Sequence, residues 1–179
     1  MQNDKNLWNF RPAWMQLVSR NNVVGLEVGV AKGINAYNML RFLDIKKLYL
    51  LDPYLPQSEV ADSDGERPYG EGNYRQDKYK AESLLKPFED KIEWIFETTE
   101  DGIGKISDES LSFVYIDGCH KYDSVKKDIN LCIPKVIFGG VLGGHDWSSS
   151  HPGVVNAVLE KFGRDKIFSL HQDWWIIKE

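Results

Sequence analysis

Apolar residues fall into short runs of strand length that alternate with stretches of helical spacing. Val23 to Val28, Leu48 to Leu51, Ile92 to Phe96, Leu111 to Ile116 and Val136 to Leu142 each read as a β-strand. Ala36 to Leu43, Asp123 to Ile133 and Val154 to Phe162 place apolar residues three and four apart, the period of a helix with one buried face. The first twenty residues, ending Trp14-Met15-Gln16-Leu17-Val18, read as a short amphipathic helix, and Ile167 to Leu170 with Trp174 to Ile177 suit a closing antiparallel pair. Compact apolar strands separated by helices predict an α/β domain with a mainly parallel sheet covered on both faces.

Tyr54 to Tyr79 breaks this rhythm. It is polar and carries Pro56, Gly65, Pro68, Gly70 and Gly72 among four tyrosines. A loop of such length inside a compact domain is either a functional lid or a disordered stretch. As a lid, Arg67, Arg75 and the tyrosines would suit a polyol. No repeat and no second hydrophobic block divides the chain, so residues 1–179 are expected to form one domain, in keeping with a mass of 20.6 kDa.

The net charge of −5 and the absence of a long basic run exclude an electrostatic footprint for nucleic acid. No apolar stretch approaches the roughly 20 residues of a spanning helix, so no membrane partner is expected. Met1 to Arg11 is polar and unlike a signal peptide, and Cys119 and Cys132 match no disulfide framework or zinc spacing. A cytoplasmic location is the expectation.

Candidate chemistry gathers at strand ends, where open α/β sheets bind ligands. The first strand runs into Glu27-Val28-Gly29-Val30-Ala31-Lys32-Gly33-Ile34-Asn35. A dinucleotide fingerprint would need glycine where Glu27 and Lys32 stand, and a pyrophosphate tolerates no carboxylate beside it. A cofactor with a positive amino-acid end and no phosphate suits Glu27 well. Gly29 and Gly33 would let the chain pass close to that ligand. Asp52 ends the second strand, where an acid accepts both ribose hydroxyls as a bidentate pair or forms a turn before Pro53. Thr98-Thr99-Glu100-Asp101 follows the third strand and suits either an adenine edge or a helix N-cap.

The fourth and fifth strands end in Asp117-Gly118-Cys119-His120 and Gly143-Gly144-His145-Asp146. Neighbouring parallel strands would bring Asp117, His145 and Asp146 to one rim, a donor set for a hard divalent cation such as Mg2+ or Mn2+. Alternatively, Asp117 serves only the cofactor and His145 is a structural hydrogen-bonder. His151, before Pro152, is expected to cap the following helix, and His171 to be structural.

LEVGVAKGINA (26–36), LDPY (51–54), FVYIDGCHKYDSVKKDI (113–129), GGVLGGHDW (139–147), PGVVNAV (152–158) and WWIIK (174–178) together resemble class I S-adenosylmethionine-dependent methyltransferases. The narrower similarity is to the small family of macrocin-type sugar O-methyltransferases and catechol O-methyltransferase. The resemblance implies a Rossmann-like three-layer sandwich with a seven-stranded sheet in the order 3-2-1-4-5-7-6, its last strand antiparallel. It also implies S-adenosylmethionine as cofactor, with Glu27, Gly29, Gly33 and Asn35 at the methionine end, Asp52 on the ribose, Thr99 and Glu100 near the adenine, and Asp117 alongside. In metal-using relatives, acids matching Asp117 and Asp146 hold the cation. The third ligand there is a neighbour of Asp146, and of His145 and Trp147 only His145 can coordinate.

The pattern departs from the family in three places. Cys119 stands where sugar-methylating relatives carry an acid base, His120 where catechol-type relatives carry a lysine, and Asn35 where a serine is usual. The expected reaction is O-methylation of a small-molecule or sugar hydroxyl. A divalent cation on Asp117 and Asp146 would bind the acceptor oxygen and lower its pKa, and His120 would be the base, because imidazole titrates near pH 6.5. A metal-dependent hydrolase would use the Asp and His residues but leave Glu27 and Asp52 without a task. A non-catalytic S-adenosylmethionine-binding domain would account for the replaced base, and the missing fingerprint disfavours a nicotinamide enzyme. Acceptor, base, metal requirement and oligomeric state are not fixed by the sequence.

Overall fold

The computed structural model describes residues 11–55 and 74–179. In chain order the elements are α1 (Pro12–Met15), β1 (Val23–Val28), α2 (Ile34–Phe42), β2 (Ile45–Leu51), α3 (Tyr74–Leu85), β3 (Ile92–Ile95), α4 (Thr99–Gly102), β4 (Leu111–Ile116), α5 (Tyr122–Cys132), β5 (Val136–Gly144), α6 (Pro152–Phe162), β6 (Phe168–Leu170) and β7 (Asp173–Ile177). The strands form one seven-stranded sheet in the order β3-β2-β1-β4-β5-β7-β6. β1 to β5 pair in parallel, while β7 runs antiparallel to both β5 and β6. This is the Rossmann-like α/β sandwich expected from the sequence.

Alternate residues of one strand point to opposite faces of the sheet, and here each face has its own core. Leu26, Val114, Ile116 and Leu142 pack with Val125, Ile129 and Val158 beneath α5 and α6. Phe113, Tyr115, Leu48 and Leu50 pack with Trp14, Leu17 and Met39 beneath α1 and α2. Burial on both faces is why these strands read as near-continuous apolar runs.

Three elements differ from the sequence expectation. Helix α3 occupies residues 74–79, the end of the segment read as a loop, because it buries only Ala81 and Leu85 and so carries little apolar periodicity. The remainder of that loop, 56–73, lies outside the described residues, as do residues 1–10 of the N-terminal helix. The described part of that helix is the single turn α1. β5 runs past Leu142 through Gly143 and Gly144, where a side chain would collide with the Trp174 and Ile116 carbonyls at 2.6 and 2.3 Å. Among the described residues no helix is long and apolar enough to cross a membrane.

Candidate active site

Register places the functional strand ends at one height. Val28 pairs with Ile116, and Ile116 with Gly144. Asp117 N–H then donates to Val28 O at 2.8 Å and His145 N–H to Ile116 O at 3.1 Å. Residues far apart in sequence thereby share a single rim.

Gly29 has φ +84°, and a Cβ there would lie 2.3 Å from the Asp117 carbonyl oxygen. Only glycine lets the turn cross the end of β4 so closely. Gly33, at φ +75°, lies against Ala81 of α3 at 3.1 Å. The close approaches at these two glycines are therefore to the protein's own backbone, where the sequence suggested a ligand. Asp52 braces the same turn: Oδ2 accepts from Val30 and Ala31 N–H, each at 2.9 Å, and Oδ1 from Tyr54 N–H at 2.8 Å. The Tyr54 hydroxyl donates to Ala31 O at 2.8 Å. A carboxylate offers about four acceptor positions, so the described partners leave Asp52 one, on Oδ1, rather than a bidentate pair.

Glu27 is buried at the base of the turn. Its Oε1 accepts from Asn35 Nδ2 at 2.9 Å, and Asn35 Oδ1 accepts from Trp14 Nε1 at 2.9 Å. This chain fixes the amide orientation and explains asparagine at position 35. Glu27 Oε2 is buried without a hydrogen-bond partner among the described residues. Burial pushes the carboxyl up to about 8; Asn35 and Arg11 act to lower it, Asp117 and Asp52 to raise it. Beside it lies a cleft of about 240 Å³ lined by Arg11, Glu27, Gly29, Lys32, Asn35 and Asp117.

Arg11 had no signal in the sequence. It is buried, with Nη2 3.8 Å from Asp117 Oδ2, Nη1 3.7 Å from Asp173 Oδ1, and Nε without a hydrogen-bond partner among the described residues. Asp173 ties this end of the chain to the sheet, accepting from Ala13 N–H at 3.0 Å and from the Tyr115 hydroxyl at 2.8 Å.

At the ends of β4 and β5 the structure gathers Asp117, His120, His145 and Asp146, and adds His151. Asp146 Oδ2 is 2.8 Å from His120 Nε2, and Oδ1 is 3.1 Å from His145 Nδ1. Asp117 Oδ1 is 3.8 Å from His145 Nδ1. A void of about 10 Å³ touches Asp117, Cys119, His120, His145 and Asp146. The two carboxyls are driven apart. Burial raises that of Asp117 against the His145 and Arg11 charges. Burial also acts upward on Asp146, but hydrogen bonds and charge from His120 and His145 outweigh it and hold that carboxyl well below the usual range.

His151 stands at the N-cap position of α6 but makes no side-chain cap bond, which corrects the capping expectation. Its Nδ1 lies 3.3 Å from Ser148 Oγ and 3.6 Å from Asp146 Oδ1. His171 sits in the β6–β7 turn at φ +55°. Thr98 caps α4, Thr99 bonds the Asp128 carboxylate, and Glu100 pairs with Lys127 at 2.8 Å. The Thr99 and Glu100 side chains thus turn toward α5.

A glycine turn over a buried acid, at the carboxyl rim of a doubly covered sheet, is where open α/β folds bind small ligands. A family model described as a methyltransferase domain matches residues 26–147. The chain belongs to that family and is a methyltransferase, for which S-adenosylmethionine is the expected donor. No curated protein matches the sequence. Among solved structures the chain is similar to the O-methyltransferase NovP, at 16% identity and TM-score 0.65 over 91% of this chain and 76% of that one. It is similar to the calicheamicin methyltransferase CalS11, at 15% identity and TM-score 0.66 over 92% and 75%. Spermidine synthase from Thermotoga maritima also aligns, at 10% identity and TM-score 0.62 over 94% and 58%. Such likenesses establish the fold alone, since one architecture serves more than one chemistry.

Proposed function

We propose that this methyltransferase uses S-adenosylmethionine to methylate a hydroxyl of a small molecule, with a sugar among the candidate acceptors, and that a divalent cation at Asp117, His145 and Asp146 assists. The observation that carries the reading is a pair of buried polar atoms without hydrogen-bond partners among the described residues, on side chains of the cleft. Glu27 Oε2 is an acceptor without a partner among the described residues and Arg11 Nε a donor in the same position, and both side chains line one cleft. A buried acceptor and a buried donor on side chains that line one cleft suit the ammonium and carboxylate of an amino-acid end. A pyrophosphate would meet Glu27 as a repelling charge.

Asn35 holds Glu27, Asp52 offers its remaining Oδ1 position to a ribose hydroxyl, and the rim at Thr99 and Glu100 is assigned to the adenine. The donor supplies a methyl group on a positively charged sulfur. The acceptor oxygen forms the new bond to the methyl carbon as the carbon–sulfur bond breaks, and His120 takes the acceptor's proton. With the ring proton on Nε2, 2.8 Å from Asp146 Oδ2, the neutral imidazole would carry its lone pair on Nδ1. That nitrogen is the base. A carboxylate pair plus imidazole suits Mg2+ or Mn2+, which would orient the acceptor oxygen and lower its pKa.

Calorimetric titration with S-adenosylmethionine, S-adenosylhomocysteine and NADH, each with Mg2+ and with EDTA, tests the reading. Binding of both sulfur nucleosides and none of NADH is expected; NADH binding, or no sulfur-nucleoside binding, overturns it. His120→Ala is expected to lower kcat by about 10²-fold or more with a methylated acceptor, and near wild-type kcat would remove His120 as base.

A further inference from the structure

Asp146 is shared by two donor sets. The Asp117–His145–Asp146 set was legible in the sequence. The other, His120–Asp146–His151, was not, because it depends on how α6 enters the fold. A Cβ at Gly153 would lie 2.4 Å from His120 O and 2.7 Å from Tyr122 N. Glycine there lets the start of α6 press against the 120–122 backbone, and the two imidazoles stand edge to face with centroids 4.6 Å apart. One nitrogen from each ring and one carboxylate oxygen lie within 4.8 Å of one another.

We propose that His120, Asp146 and His151 form a second cation site, for a nitrogen-preferring divalent transition metal such as Zn2+ or Co2+, distinct from the Asp117–His145–Asp146 set but sharing Asp146 with it. Donors held about 2.1 Å from one ion stand about 3.0–3.5 Å from each other. The observed separations bracket that range, with His120 Nε2 at 2.8 Å from Asp146 Oδ2 and His151 Nδ1 at 3.6 Å from Asp146 Oδ1. The second distance is too long for a hydrogen bond, and a shift of about 0.1–0.2 Å would bring both pairs to the spacing of ligands on one ion. His120 and His151 keep 26% and 28% of their side-chain surface exposed, so an ion has access.

Composition sets the preference. Two imidazoles and one carboxylate are the donors of zinc, cobalt, nickel and iron sites, whereas a set richer in carboxylate oxygen, such as Asp117–His145–Asp146, leans toward Mg2+ and Mn2+. A bound ion would take the His120 Nε2 lone pair and leave the ring proton on Nδ1. A filled site therefore withdraws His120 from proton transfer, a state different from the one proposed for catalysis.

The test uses untagged full-length protein and Co2+ as probe, with no methyl acceptor present, so it is independent of the methyl-transfer reading. Visible absorption and equilibrium dialysis report uptake. Wild type and Asp117→Asn are expected to bind Co2+ with a ligand-field band that excess Mg2+ does not remove. His151→Asn is expected to bind at least about tenfold more weakly; thermal melting checks its fold, and His120→Asn read the same way replaces it if it does not fold. Absence of Co2+ uptake by wild type, loss of uptake in Asp117→Asn, displacement by Mg2+, or unchanged affinity in the histidine variants would overturn the proposal.

Discussion

Glu27 is the residue at which burial meets the proposed cofactor contact. Its carboxyl is pushed up to about 8 by burial from an ordinary value of 4.5. Between those values the folded protein holds a proton that the unfolded chain has lost, so stability falls as pH rises from about 4.5 to about 8 and levels off above it. Glu27→Gln, neutral at every pH, is expected to lack that slope; urea unfolding of both proteins at about pH 5 and about pH 9 reads the difference. Filling the cleft with an ammonium favours the ionised acid. Cofactor binding near pH 7 is therefore expected to release protons in the wild type and fewer in Glu27→Gln, measured by calorimetry in buffers of different ionisation enthalpy. Asn35→Ala leaves both Trp14 Nε1 and Glu27 Oε1 without the partner each has here. A loss of about 1–3 kcal/mol in stability is expected on chemical unfolding.

At the scale of the element, the turn between β1 and α2 is set by sterics. In Gly29→Ala the new methyl would meet Asp117 backbone at 2.3 Å with φ at +84°, and neither backbone can yield without displacing a strand end. Loss of cofactor binding together with a lowered Tm is expected; wild-type affinity would show that the turn is more pliant than its geometry indicates. The strand elements were legible because each is apolar on both faces. Helix α3 was not, because it is mostly polar, and the end of β5 was not, because Gly143 and Gly144 resemble turn residues when their neighbours are unknown. Asp52 shows the same limit: the sequence places it at a strand end but does not say that two loop amides occupy one of its oxygens.

The whole molecule is closed by Asp173, which joins the N-terminal turn, β4 and β7 through Ala13, Tyr115 and Arg11. Asp173→Ala is expected to cost about 3–5 kcal/mol, as removal of one partner of a buried charge pair does. It should also release Arg11 and weaken cofactor binding beyond what the lost stability explains, which calorimetry below the melting range would show. The rim acids and His145 were foreseeable because consecutive parallel strands tend to lie side by side and end at one rim; the full strand order was implied by the family resemblance. Arg11 and His151 were not, since one acts through Asp173, far along the chain, and the other through a single glycine's clearance.

In the proposed binding mode, Glu27 and Arg11 hold the end of the methyl donor that the reaction leaves untouched. Transfer discharges the sulfur, while the amino-acid head keeps both its ions, so the spent nucleoside retains most of its hold on the protein. Turnover is expected to be paced by its departure, with a burst in the first cycle and strong competition from S-adenosylhomocysteine. An auxiliary enzyme that degrades the by-product would then speed the steady state without touching the chemical step.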